Sequence, residues 1–279
     1  MQLDGRVVLI TGGASGIGRA LARRIGAEPV AAVIVADLDG DGAAAVAAEL
    51  DVPALGLGTD VSDPAQVDAL VSAAEARFGA VDIFCANAGI ARGTGLADDD
   101  AEFRRVLEVN LMAHVHAARR LIPGWVARGE GYFVATASAA GLLSQIGDVA
   151  YTVSKHAAVG FAEWLAITYG DQGVRVSCLC PMGVDTPLGG FAAAADAGDG
   201  DGDGGGGRWS LPARTVMAAG AILEPAEVAD EVVAAVIAER FLILPHPEVA
   251  DFLRGKVEDP ERWLAGMRRL QARVASQRR

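Results

Sequence analysis

The sequence predicts a single α/β domain of doubly wound, three-layer form, with a parallel sheet between two layers of helices. Two observations carry this expectation. Apolar runs of strand length alternate with longer stretches of helical periodicity, the pattern of βαβ units. The 279 residues, 52% of them apolar, also supply enough material for a core on each face of such a sheet.

Arg6–Ile10 is the first strand and Ile17–Ile25 its helix; Val30–Ala36 is the second strand, followed by an Ala-rich stretch over 41–50. Ala54–Leu57 is a weaker third strand, and a helix runs from about Pro64 to Phe78 with Ser62 or Asp63 as its cap. Val81–Ala86 is the fourth strand, and one long helix follows over 101–121. Gly131–Thr136 is the fifth strand, Val149–Tyr169 a second long helix and Val174–Leu179 the sixth strand. A late helix at 225–239 precedes a closing strand, Phe241–Leu244. Trp263, Leu264, Met267, Leu270 and Val274 then keep a helical apolar stripe, so 247–279 is expected to be a C-terminal helical extension of the domain. Residues 189–207 hold almost nothing that packs, and 189–217 is expected to be a flexible segment on the substrate side. Asp199, Asp201 and Asp203 mimic the start of a calcium loop, but its twelfth position is Ser210 rather than Glu, so no calcium is expected.

The net charge of −12 is opposite to the positive footprint that nucleic acid demands, and no nucleic-acid partner is expected. Arg262, Arg268, Arg269, Arg273, Arg278 and Arg279 against Glu261 make the tail locally basic, which reads most simply as a solvated helix face. No run reaches the ~18 apolar residues that span a bilayer. Met1–Arg6 lacks a basic leader, so no membrane partner is expected and the location expected is cytoplasmic. Cys85, Cys178 and Cys180 show no zinc spacing and form no disulfide framework; they read as buried free thiols, and no metal is expected.

Directly after the first strand comes Thr11-Gly12-Gly13-Ala14-Ser15-Gly16-Ile17-Gly18, opening a helix. Gly12 and Gly16 let the backbone turn tightly and approach a ligand, and Gly18 lets the helix pack closely on the sheet. The helix N-terminus offers unpaired N–H groups and a positive dipole end to a pyrophosphate. Asp37 ends the second strand 19 residues after Gly18, where a carboxylate hydrogen-bonds both ribose hydroxyls of an adenosine and repels a 2′-phosphate. The cofactor expected is therefore NAD.

On the second long helix, Tyr151 and Lys155 are four apart and share a face. A nearby cation favours a phenolate, so the pair reads as an acid/base usable near neutral pH. Ser138 lies 13 residues earlier, just past the fifth strand; Asn110 sits within the preceding helix, and Asn87-Ala88-Gly89 ends the fourth strand. In order and spacing these segments resemble the short-chain dehydrogenase/reductase family, well over 5–188 and loosely over 222–246.

That resemblance implies a Rossmann-type fold and gives roles to particular residues. Tyr151 would exchange a proton with the substrate oxygen while Lys155 holds the nicotinamide ribose and lowers the Tyr151 pKa. Ser138 would hydrogen-bond the substrate oxygen, and Asn110 would hold a water in a relay ending at Lys155. Ser15 and Ile17 would belong to the pyrophosphate cradle, Asp60 and Val61 to the adenine end, and Asn87, Ala88 and Gly89 to the adenosine side. Pro181, Val184 and Thr186 keep the pattern that meets the nicotinamide carboxamide, but Met182 stands where the family has glycine. The resemblance also implies a homotetramer, or a homodimer, packed through the two long helices.

The expected partner is a small alcohol or ketone. Trp209, Leu211, Met217, Leu142, Leu143 and Ile146 supply apolar surface that suits a hydrophobic substrate, or equally the packing of the loop itself. An NADP-dependent ketoreductase is the alternative, with Arg19 as the nearby cation, and a silent dinucleotide-binding regulator is the alternative of another class. His114, His116 and His156 read as packing or helix-surface residues.

Overall fold

The computed structural model describes residues 1–92, 95–97, 99–189 and 210–276. The flexible-segment reading of 190–207, the calcium-loop mimic below Ser210 and Trp209 fall outside the described residues.

Seven strands form one sheet in the order β3-β2-β1-β4-β5-β6-β9. They are β1 (Val7–Thr11), β2 (Ala32–Asp37), β3 (Ala54–Gly58), β4 (Ile83–Ala86), β5 (Gly131–Thr136), β6 (Val174–Leu179) and β9 (Leu242–Ile243). Every pair in the sheet is parallel, and β1, β4 and β5 are buried throughout, as strands covered by helices on both faces must be. The strand order reverses between β1 and β4, which opens a crevice at the carboxyl ends of these two strands.

Each face of the sheet has its own core. On one side α3 (Pro64–Phe78), α5 (Ala113–Arg128) and α6 (Val149–Tyr169) bury Leu70, Leu121, Trp125 and Leu165 against Leu9, Phe84 and Phe133. On the other, α1 (Gly16–Gly26), α2 (Gly40–Ala48) and α8 (Pro225–Ala238) bury Leu21, Val46 and Val232 against Ile10, Val35 and Val134. These are the three layers expected. The predicted limits of the helix Pro64–Phe78 hold, and its cap is Asp63, whose carboxylate accepts the Ala65 N–H at 2.9 Å.

Two elements depart from the sequence reading. The long helix predicted over 101–121 is two helices, α4 (Asp100–Leu107) and α5, joined by a π-helical turn over Glu108–Met112 and continuing to Arg128. A π-turn inserts one residue into the ladder, so it leaves no trace in apolar periodicity read over a few turns. The segment expected to be flexible as far as 217 is helical from Leu211: α7 (Leu211–Ala219) starts at a Ser210 hydroxyl that accepts the Ala213 N–H. A small second sheet pairs β7 (Gly183–Val184) with β8 (Ile222–Leu223), and the chain ends in α9 (Glu248–Glu258) and α10 (Pro260–Ser276).

Candidate active site

The crevice holds a cleft of about 500 Å3 lined by Gly12, Ser15, Gly16, Ile17, Asp37, Asp60, Val61, Asn87, Ala88, Gly89, Ser138, Tyr151, Lys155, Pro181, Val184 and Thr186. Of the predicted site residues only Gly18 and Asn110 do not face it. Gly18 acts by packing: a Cβ there would lie 2.0 Å from the Gly12 carbonyl oxygen, so any side chain forces helix α1 off the strand.

Gly12 has φ +65° and lies so near the loop after β4 that a Cβ would stand 2.8 Å from Ala88 Cα. The loop is tied beneath by Asn87, whose amide donates to the Thr11 carbonyl at 3.1 Å and the Gly12 carbonyl at 3.3 Å. Ser15 caps α1 without a side-chain bond to that helix. At the far end, Asp37 accepts the Ala14 N–H at 3.0 Å and the Asp39 N–H at 3.1 Å, which fixes its carboxylate at the lip of the cleft. A bare glycine cradle, a free cap hydroxyl and a fixed carboxylate fit a dinucleotide. Asp60 is engaged by Arg105 at 3.1 Å and by the Ser62 hydroxyl at 2.6 Å; burial pushes its pKa up, but these bonds outweigh burial and hold it below the usual range.

At the other end, β5 and α6 bring together Ser138, Tyr151 and Lys155. Ser138 follows β5, and its hydroxyl is fixed by accepting the Ala140 N–H at 3.1 Å. Asp148, which sequence reasoning passed over, caps α6: it accepts the Tyr151 N–H at 2.9 Å and the Arg92 N–H at 2.9 Å, joining the helix start to the loop after β4. Lys155 is buried and donates to the Thr136 carbonyl at 2.9 Å, with Nζ 5.6 Å from the Tyr151 ring centroid. Burial pushes its pKa down to about 8.

The Tyr151 phenol behaves differently from the expectation that its lysine would lower it. The side chain is half-buried at the cleft wall, and burial pushes its pKa up to about 12 against the neighbouring Ser138 hydroxyl, which pulls it down. Desolvation of the phenolate outweighs a lysine whose ammonium is turned to a carbonyl. Asn110 lies outside the cleft lining, at the π-turn. Its Oδ1 accepts the Ile90 N–H at 2.8 Å, and Nδ2 donates to the Ile90 carbonyl at 2.9 Å and to Ser154 Oγ at 3.0 Å.

Three further residues shape this end and carried no sequence signal beyond their type. His246 is buried; its Nδ1 accepts the Met182 N–H at 3.1 Å and its Nε2 donates to the Gly183 carbonyl at 2.9 Å, clamping the loop where methionine replaces glycine. Lys256 of α9 donates to the Leu142 and Leu143 carbonyls at 2.7 and 3.0 Å and lies over the Trp263 ring at 5.1 Å, tying the extension to the serine loop. His114 is fully enclosed beside Phe133, with neither ring nitrogen hydrogen-bonded. Burial, with Lys155 nearby, pushes its pKa down to about 3, so it packs as a neutral ring.

The cysteines are free and buried, with the Cys178 and Cys180 sulfurs 3.8 Å apart at the carboxyl end of β6. Among the described residues no cluster of His, Cys, Asp or Glu has the arrangement of a metal site, and no helix is long and apolar enough to cross a membrane.

The family described as short chain dehydrogenase matches residues 6–196. Over 195 residues the chain is 40% identical to 1-deoxy-11-beta-hydroxypentalenate dehydrogenase of Streptomyces exfoliatus, covering 67% of this chain and 70% of that one. It is likewise 40% identical over 198 residues to sex determination protein tasselseed-2 of Zea mays, covering 67% of this chain and 57% of the relative's length. A crystal structure of a short chain dehydrogenase/reductase from Burkholderia phymatum in complex with NAD superposes with a TM-score of 0.81 at 33% identity, covering 94% of this chain and 96% of that one. The chain belongs to the short-chain dehydrogenase/reductase family of oxidoreductases.

Proposed function

We propose that this protein interconverts a secondary alcohol and a ketone with NAD, using Tyr151 as general acid and base. The observation that carries the reading is the single cleft with Ser138, Tyr151 and Lys155 at one end and the fixed Asp37 carboxylate at the other. The NAD bound in the Burkholderia phymatum structure supports the choice of cofactor.

NAD supplies hydride chemistry at the nicotinamide ring; the protein supplies position and protons. Gly12, Ser15 and Gly16 hold the pyrophosphate, Asp37 the adenosine ribose, and Pro181, Val184 and Thr186 the nicotinamide end. In ketone reduction Tyr151, kept protonated by burial, gives its proton to the carbonyl oxygen, which Ser138 orients through a second hydrogen bond. In alcohol oxidation the same oxygen takes the hydroxyl proton. Lys155 anchors the nicotinamide ribose, and its charge steadies the phenolate formed during turnover.

The NADP-dependent alternative needs a cation beside Asp37, and Arg19 does not serve. Its guanidinium is ion-paired to Glu49 at 2.8 Å. Titration with NADH and NADPH by nicotinamide fluorescence, beside Asp37→Ala, tests the assignment. Tight NADH binding that weakens in the variant is expected, and a preference for NADPH reverses the reading. With NAD and a panel of alcohols, Tyr151→Phe is expected to bind NADH and lose turnover; substantial residual turnover excludes Tyr151 as the acid.

A further inference from the structure

Behind Ser138 and Met182 lies a second cavity of about 710 Å3, within the ~300–1,000 Å3 range of small-molecule sites. The serine loop and Met182 form its inner wall, α7 one side, and α9 with α10 the outer side. Most of its outer wall lies beyond the residues that the family match covers. Lys256 pins this wall to the serine loop, so the cavity is built against the reacting groups rather than beside them.

Helix α10 gives the cavity two adjoining stripes. Trp263, Met267 and Leu270 repeat at helical spacing and are partly buried. Arg262, Arg269 and Arg273 recur on the neighbouring stripe, and all three line the cavity. Among the described residues none of their guanidinium groups has an ion pair or hydrogen bond, whereas Arg6, Arg24, Arg105 and Arg120 are each held by acids. Three acids also line the cavity, Asp251 in the first turn of α9 and Glu258 and Asp259 at the α9–α10 turn; Asp251 is paired with Arg254 at 2.7 Å, and Asp259 accepts the Arg262 backbone N–H at 2.9 Å. At the opposite end Arg214 is anchored to the Val274 carbonyl at 3.0 Å, which adds positive charge beside Arg273. In a chain of net charge −12, an apolar chamber ends at unpartnered arginines.

We propose that the substrate is an apolar alcohol or ketone bearing an anionic group, such as a carboxylate, remote from the reacting carbon, and that Arg269 and Arg273 receive that group. The inference rests on the alcohol–ketone reading above. The apolar body fills the space along Trp263, Met267 and Leu270, the oxygen reaches Ser138 and Tyr151, and the planar guanidinium forks match a carboxylate.

The test is a panel of ketones of increasing size, from cyclohexanone to steroid scaffolds, each as a carboxylic acid and as its methyl ester. NADH oxidation is followed with the wild-type protein and with R269Q/R273Q, which keeps much of the side-chain stems. A preference of about tenfold or more for the acid is expected, mostly in KM and shrinking as salt is raised. In R269Q/R273Q the acid-to-ester ratio is expected to fall toward one, with NADH affinity and melting temperature serving as the check on folding. Equal kcat/KM for acid and ester, or an unchanged preference in the variant, overturns the arginine assignment and leaves the alcohol–ketone reading standing. Turnover of other alcohols but of no panel member overturns the apolar anionic substrate. Failure to bind NADH or to turn over any alcohol instead removes the underlying reading.

Discussion

Asn110 and Ser154 are joined by a buried hydrogen bond of 3.0 Å, which ties the π-turn to the helix that carries Tyr151 and Lys155. Ser154 in turn donates to the Tyr151 carbonyl at 2.8 Å, so the geometry of the proton-transfer groups depends on an amide that lies outside the cleft.

Asn110→Leu strands the Ile90 N–H and carbonyl together with Ser154. The expected cost is about 2–4 kcal/mol in urea unfolding, since each unsatisfied buried polar group costs ~1–3 kcal/mol. Turnover should fall as well, while Asn110→Asp, which keeps an acceptor for Ile90, recovers part of the stability. A variant as stable as the wild type excludes this role.

Lys155, lowered from 10.5 to about 8 by burial, is charged below about pH 8 and neutral above it. The kcat/KM for ketone reduction should therefore be level below that value and decline as pH rises through it, well before Tyr151 begins to lose its proton near 12. A pH–rate profile with saturating NADH measures this. Activity that climbs steadily to pH 10 would contradict the assignment.

His114 has an opposite consequence, for stability in acid. Its folded pKa is lowered from 6.5 to about 3, so between these values the unfolded chain binds a proton that the folded chain refuses. Stability from this group is whole above pH 6.5 and is lost as pH falls toward 3, at about 1.4 kcal/mol per pH unit. Denaturant unfolding at pH 7, 6 and 5 should show a shallower decline in His114→Leu than in the wild type. Parallel curves would show that the imidazole is not the cause.

Lys256→Met keeps most of the stem but leaves the Leu142 and Leu143 carbonyls without their donor. We expect kcat/KM for substrate to fall about tenfold, the scale of one charge-assisted hydrogen bond, with NADH affinity unchanged because the cleft lies on the other side of Ser138. Equal weakening of NADH would point to a general loss of folding.

The outer face of α6 carries Val153, Trp164 and Ile167, the last two 52% and 84% exposed. With Gly160 they fall on one face, as a helix packed on a partner subunit requires. Light scattering is expected to show an oligomer and Trp164→Glu a smaller species; a wild-type monomer would exclude the tetramer reading.

The layered fold was legible because its signals are local or periodic: fully apolar strands such as Val7–Thr11, a capped helix over Pro64–Phe78, and glycines placed after β1. The cleft was legible for the same reason, since all but two of its expected residues line it. The remainder depends on pairings across the fold. Asp148 gains its role only by accepting the Arg92 N–H as well as capping its helix, and His246 only through its bonds to residues 182 and 183. For Tyr151, spacing shows a lysine at the right interval but not that its ammonium turns to the Thr136 carbonyl.

The strap from Lys256 to Leu143 crosses 113 residues, and it gives the molecule a chronology. A ribosome delivers the strands and turns of the dinucleotide cleft long before it delivers the lysine that completes the serine loop. Order of synthesis thus separates two competences: the growing chain has the parts to hold a nucleotide while the chamber that selects what is oxidised or reduced still lacks its outer wall.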